Sequence, residues 1–156
     1  MSNPIRIEQA SPDDKKIILE LADRLFKELT DDPAEFESID ASKIAVDLIR
    51  NKEKFVAFFA KNDDEIVGII TLVETFAIYA GGNYGVIPEM FIAPEYRSQG
   101  IGKQLVDAVK NYGAQKGWQR INVTAPDDPK WERTVKFYER EGFVFTGPKM
   151  RFMLND

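Results

Sequence analysis

The chain has 156 residues, 44% of them apolar and 30% charged, which gives one domain room for a real core. A net charge of −5 argues against general nucleic-acid binding, and the longest apolar runs are strand-sized, too short to span a membrane. Cysteine and histidine are absent, so disulfides, a thiol nucleophile and the commonest metal ligand are excluded, and acid–base work falls to carboxylates, tyrosine, lysine or water.

The N-terminus does not read as a signal peptide, because Asn3, Pro4 and Arg6 interrupt any apolar run. Ile5-Arg6-Ile7-Glu8 alternates as a first strand. Ser11-Pro12-Asp13-Asp14 is a helix start, with a cap, a proline in the first turn and an acid three residues after the cap. Ile17, Ile18, Leu21, Leu25, Phe26 and Leu29 give that helix one apolar face. From Glu28 to Asp40 the chain carries six carboxylates and no lysine or arginine. A second helix is expected from about Ala41 to Arg50.

Phe55 to Ala60 reads as a strand, Asn62-Asp63-Asp64 as a turn, and Glu65 to Tyr79 as a longer strand in which Gly68 marks a bulge. Gly81-Gly82-Asn83 turns the chain into a further strand that ends at Ile92, where Pro94 closes it. These strands are expected to form an antiparallel meander. A polar bridge, Glu95 to Gln99, leads to Gly100, which opens a helix whose apolar positions are Ile101, Leu105, Val109 and Tyr112. That helix should end at Gly117. Gln119 to Thr124 is the next strand, parallel to the one ending at Ile92 because a helix connects them. Asp127 or Asp128 is expected to cap a last helix that ends at Gly142, and Phe143–Phe145 with Lys149–Leu154 to form a closing hairpin.

The turn from Gln99 to Lys103 has the chemistry of a pyrophosphate cradle. Gly102 costs its helix about 1 kcal/mol relative to alanine, and close approach of a ligand to backbone is the usual reason for such a cost. The first amides of a helix lack internal partners and carry the positive end of the dipole. Arg97 and Lys103 add full charge. Gly-x-Gly alone is a common pattern and also fits a plain glycine-capped helix. Two other phosphate motifs are excluded: Lys103 is followed by Gln104 rather than Ser or Thr, and Leu105 stands where a dinucleotide fingerprint needs a small residue.

Arg97-Ser98-Gln99-Gly100-Ile101-Gly102 resembles Gln/Arg-x-x-Gly-x-Gly/Ala, the acetyl-CoA signature of the GCN5-related N-acetyltransferase (GNAT) family. Met90-Phe91-Ile92-Ala93-Pro94-Glu95-Tyr96 before it is similar to the same family, as is Val135-Lys136-Phe137-Tyr138-Glu139-Arg140-Glu141-Gly142-Phe143. The two blocks stand in the family's order, whereas the first half of the chain carries no diagnostic motif. The resemblance implies one α+β (α/β three-layer) domain over residues 1–156. Its mixed, mostly antiparallel twisted sheet would have about seven strands, with a central splayed parallel pair and about four flanking helices.

For the site, the resemblance implies that Phe91, Ile92 and Ala93 hold the pantetheine arm and the acetyl carbonyl of acetyl-CoA. The pyrophosphate would go to Arg97, Ser98, Gln99, Gly100, Ile101, Gly102 and Lys103. Tyr138 aligns with the family's general acid beside the thioester sulfur, although its other reading is a packed amphipathic tyrosine. Many relatives carry Asn and Ala seven and four positions before this tyrosine; here Trp131 and Thr134 stand there, and Trp131 would pack on the pantetheine. Where relatives carry an acidic pair, Pro88 replaces the first acid and Glu89 remains. Glu89 is the candidate base, acting through water or binding an ammonium, with a solvent-facing strand carboxylate as the alternative. Asp31, Asp32, Glu35 and Glu37 lie where the family builds its acceptor wall, and otherwise read as a solvated charge run.

The expected reaction is direct attack of an amine on acetyl-CoA in a ternary complex, without a metal. A small cationic amine is the expected acceptor. Acetylation of protein N-termini or lysines, and a non-catalytic acyl-CoA-binding module, are the competing readings. A cytoplasmic protein is expected, with homodimerisation left open and no nucleic-acid or membrane partner.

Overall fold

The structure, a computed structural model, describes residues 4–32, 36, 39–124, 129–147 and 149–154. The chain divides into two compact units, Met1–Asn122 and Val123–Asp156. In the first, β1 (Arg6–Gln9) passes through a short 3-10 turn into α1 (Lys15–Leu29). The capping box forms: the Asp14 carboxylate accepts the Ser11 amide at 2.8 Å, and Ser11 Oγ accepts the Asp13 amide at 3.2 Å. The helix α2 (Ala41–Arg50) starts where the Asp40 carboxylate accepts the amides of Ser42 and Lys43. An antiparallel meander follows: β2 (Phe55–Asn62), β3 (Glu65–Ala77), β4 (Gly82–Ile87) and β5 (Met90–Ile92). Then come α3 (Ile101–Lys116) and β6 (Ile121–Val123). In the second unit a 3-10 turn, Pro129–Trp131, leads into α4 (Glu132–Arg140).

The mixed sheet has six strands among the described residues, in the order β1-β2-β3-β4-β6, with β5 paired to β3 beyond the end of β4. Alternation along β2 sends neighbouring side chains to opposite faces. Phe59 joins Ile18 and Leu21 of α1, Ile69 of β3 and Phe91 of β5 in one core cluster. Phe58 meets the Tyr112 ring of α3 edge-on at 6.0 Å on the other face. The sheet is therefore sandwiched between α1 and α3. Phe59 is 2% exposed, and truncating it to alanine would cost about 3–5 kcal/mol.

Most expected elements are present, α2 with the expected limits and α3 between Gly100 and Gly117, both in left-handed conformation. The bulge expected at Gly68 appears as a register shift opposite Ala60/Lys61. The long strand expected to run to Ile92 is broken instead. Ile70 pairs with Met90 and Val73 with Val86, so Thr71 and Leu72 of β3 face three residues, Ile87, Pro88 and Glu89. Pro88 has no amide to give a ladder, and the extra residue makes a second bulge. β6 lies beside β4, with the Gly85 amide donating to Arg120 O at 3.2 Å, and does not pair with β5. The sheet thus opens past the bulge, as a splay requires.

The expected closing hairpin is not formed: none of the described residues after Val123 is in a strand, so the sheet has six strands rather than about seven. Val144, Phe145, Met150, Phe152 and Leu154 are exposed instead. Apolar alternation specifies a strand only where an edge pairs with it. The caps expected at Asp127 or Asp128 lie outside the described residues.

Candidate active site

The second bulge is built on a threonine. Thr71 is 2% exposed and is the polar member of the buried set among the described residues. Its amide donates to Glu89 O at 2.9 Å, which keeps one ladder bond. Its hydroxyl accepts the Glu89 amide at 3.0 Å and donates to the Glu89 carboxylate in a short hydrogen bond. Because residue 71 stands opposite 89 and Ile69 opposite Phe91, Glu89 and Phe91 share the face that α1 covers. Burial pushes the Glu89 carboxyl above the usual carboxylate range, and the Thr71 hydroxyl pulls the other way.

Beyond the bulge, β5 has one partner and one open edge. The Ala93 amide donates to Val67 O at 2.8 Å. By alternation Phe91 bonds inward to β3 as well, and Ile92 turns its backbone to the edge away from β3. Of the three residues expected to hold the pantetheine arm, Ile92 is the one whose backbone faces outward. Its carbonyl accepts Arg97 Nε at 2.8 Å.

The loop that follows is fixed by side chains at each step. Tyr96 Oη accepts from Asn62 Nδ2 at 3.0 Å and donates to Glu65 Oε2 at 3.2 Å. Arg97 places one nitrogen 2.7 Å from both carboxylate oxygens of Glu28 on α1. Arg24 and Arg97 stand 4.8 and 5.7 Å from the centre of the Phe91 ring. Gln99 Nε2 donates to Glu95 O at 3.1 Å. Ser98 and Gly100 take left-handed φ values of 62° and 81°. The second is natural for glycine, and the first is uncommon for serine.

These turns aim the first amides of α3. The first helical bond runs from the Gln104 amide to Gly100 O at 3.3 Å, so the amides of Ile101 and Gly102 lie ahead of that ladder. A side chain at Gly100 would meet nothing within 4 Å, so there is open space beside the loop. Ile101 and Gly102 are themselves buried, which roots the helix start in the core. Of the two cations expected there, Arg97 binds Glu28 at 2.7 Å and Lys103 pairs with Asp107 at 3.2 Å on its own helix. The helix start thus offers backbone amides and the positive end of its dipole, with both cations beside protein carboxylates.

Trp131 and Tyr138 belong to the second unit. Trp131 ends the 3-10 turn before α4, with Lys130 Nζ 5.3 Å from its ring centre. Tyr138 is 6% exposed and packs edge-on against Phe137 at 5.1 Å and Phe143 at 5.3 Å. Burial raises its phenol above the ordinary tyrosine value, so it stays protonated at neutral pH.

Asp31 and Asp32 are exposed just after α1, and the Asp32 amide donates to Thr30 Oγ1 at 3.1 Å. Glu35 and Glu37 lie outside the described residues. In the first unit Ile92 faces the open edge of β5, which runs on into the loop to Gly102, while Glu89 bonds inward to Thr71 of β3. Reading the sequence missed Thr71 and Glu28. Thr71 had a signal: it is the one polar side chain in the apolar run Val67–Val73. Glu28 was counted among the acids of the connection, whereas it binds Arg97.

The Acetyltransferase (GNAT) family model matches residues 18–143. An uncharacterized N-acetyltransferase, YhfO, of Bacillus subtilis (strain 168) is 24% identical over 100 residues, covering 64% of this chain and 66% of that protein, under two thirds of its length. Among solved structures, an aminoglycoside acetyltransferase from an uncultured soil metagenomic sample, in complex with sisomicin, has a TM-score of 0.73 at 21% identity. The alignment covers 97% of this chain and 95% of that one. An aminoglycoside N-acetyltransferase in complex with CoA has a TM-score of 0.77 at 17% identity, covering 100% and 97%. At these identities the structural likenesses establish the fold.

Proposed function

The chain belongs to the GNAT acetyltransferase family, and from that premise we propose that it transfers the acetyl group of acetyl-CoA to a primary amine. The attack is direct, in a ternary complex, and the acceptor is a small cationic amine. Both compact units form one acetyltransferase domain in this reading, since the family match spans them. The observation that carries the proposal is the open edge of β5 at Ile92 running into the amides at the start of α3. A pantetheine arm needs such an edge, and a pyrophosphate needs such a helix start. The space beside Gly100 fits that use.

Acetyl-CoA supplies an activated thioester; the chain supplies binding and proton handling. The backbone of Ile92 pairs with the arm, and the amides from Gln99 to Lys103 hold the pyrophosphate. Phe91 and Ala93 set that edge by pairing with β3, and Trp131 packs on the arm. An amine has a pKa near ~10.4 and a carboxylate near ~4.3, so unassisted transfer between them is uphill by roughly 6 units. Burial of Glu89 narrows that gap from the carboxylate side. Glu89 receives the amine's proton, directly or through water. Tyr138, held protonated by burial, donates to the departing thiolate. Asp31, Asp32, Glu35 and Glu37 attract the cationic acceptor.

The aminoglycoside acetyltransferases among the structural neighbours support a small-molecule acceptor. Among the described residues no helix is long and apolar enough to cross a membrane; a cytoplasmic site of action is part of this reading. A thiol-release screen with acetyl-CoA tests the proposal, using polyamines, aminoglycosides including sisomicin, amino acids and lysine-containing peptides. Turnover is expected with small cationic amines. Turnover with peptides alone would move the acceptor to protein, and CoA binding without any turnover would leave a binding module.

A further inference from the structure

We propose that Thr71 is a positioning residue of the reaction, whose hydroxyl clamps Glu89 by its amide and its carboxylate together and fixes that carboxylate at the bulge. The inference rests on the reading of Glu89 as proton acceptor. In a regular antiparallel pair the Glu89 amide would return to the Thr71 carbonyl. Here it goes to the Thr71 hydroxyl at 3.0 Å, while the Thr71 amide still reaches Glu89 O at 2.9 Å. The hydroxyl has one proton to give. Glu89 O is 3.3 Å away and the carboxylate oxygen is nearer, so the proton goes to the carboxylate. One buried side chain therefore mends the ladder that Pro88 breaks and aims the acid beside it.

The clamp also sets proton affinity. A donated hydrogen bond favours the ionised carboxylate, and burial favours the neutral acid. The stretch of β3 from Ile66 to Val73 offers no ionisable side chain. From α1, Arg24 and Glu28 reach the Phe91 end of the same face, and Arg97 joins them there, bound to Glu28. Thr71 is thus the group that opposes the effect of burial and favours the proton-accepting form of Glu89.

The test uses the full chain, Thr71→Val, which removes the hydroxyl at nearly constant shape, and Thr71→Ser, which keeps it; Thr71→Ala replaces the valine variant if that does not fold. Carbon-13 NMR follows the Glu89 carboxyl against pH, with Glu89→Gln assigning the signal. In Thr71→Val the midpoint should rise by about one pH unit, and in Thr71→Ser it should stay near the parent. The acidic limb of kcat/KM, read by thiol release with the fastest amine of the screen, should move with it and return in Thr71→Ser. An unmoved midpoint in the folded valine variant would overturn the clamp. A midpoint that moves while the limb stays would overturn Glu89 as proton acceptor and, with it, the clamp's use in catalysis.

Discussion

The connection that leaves β5 and the described part of the one that leaves α1 differ in the chemistry they put on the surface. In the first, Tyr96, Arg97 and Gln99 each bond to a named partner, and Ser98 and Gly100 are held at positive φ. In the second, among the described residues, Phe36 stacks on Phe26 at 4.7 Å, Asp40 caps α2, and Asp31 and Asp32 are exposed. In the proposed function the two connections serve two kinds of recognition. A pyrophosphate is gripped by amides that must already be in place, and preorganisation limits the cost of binding. A polycation is gathered by summed charge, which needs sign and density more than geometry.

The largest expected effect breaks the first region. Gly102→Val puts a branched side chain in the first turn of α3, so the rise in melting temperature given by coenzyme A should vanish, while circular dichroism confirms a folded chain. NAD and ATP should give much smaller shifts than coenzyme A in the parent.

Tyr138→Phe should lower kcat by roughly 10–100-fold, the low end of general acid catalysis, because a thiolate leaves tolerably well without help. Its coenzyme A affinity by calorimetry should change little. If affinity falls with kcat, the tyrosine binds cofactor rather than donating a proton.

The second region answers to charge. Neutralising Asp31, Asp32, Glu35 and Glu37 together should raise the acceptor KM several-fold, on the order of what a few exposed charges contribute, and added salt should shrink the difference. The acetyl-CoA KM should hold. Equal acceptor kinetics at low salt would reduce the connection to solvated surface.

The smallest effect is on stability. Burial raises the Glu89 pKa, so between the unfolded and folded values the native state binds the extra proton. Stability from this group is therefore full below the unfolded carboxylate value and falls as pH rises through the folded one. Glu89→Gln should remove that fall, gaining on the parent at pH 7 relative to pH 4 in paired urea melts.

What was legible in the sequence is what local spacing encodes. Gly100 and Gly117 delimit α3, apolar spacing places α2 over Ala41–Arg50, and Ser11 with Asp14 starts the first helical turn. The signature from Arg97 to Gly102 pointed to a helix start that the structure builds. Pairings distant in sequence were not legible. Glu28 and Arg97 are 69 residues apart, and nothing in either neighbourhood names the other. Pro88 could be read as a missing acid, but its effect on the ladder needs the register of β3 against β4 and β5. Met150, Phe152 and Leu154 in the tail alternate like a strand, yet alternation carries no information about which edge will pair with it.

The central claim is that the start of α3 grips a pyrophosphate. Calorimetry of the parent protein with coenzyme A and with pantetheine, which lacks the nucleotide and its pyrophosphate, tests it most directly. Several charge-assisted bonds to the pyrophosphate should make coenzyme A bind at least about a hundredfold more tightly. In folded Gly102→Val that advantage should collapse toward parity. Equal affinities in the parent, or an undiminished preference in the valine variant, would contradict the account and place the cofactor elsewhere.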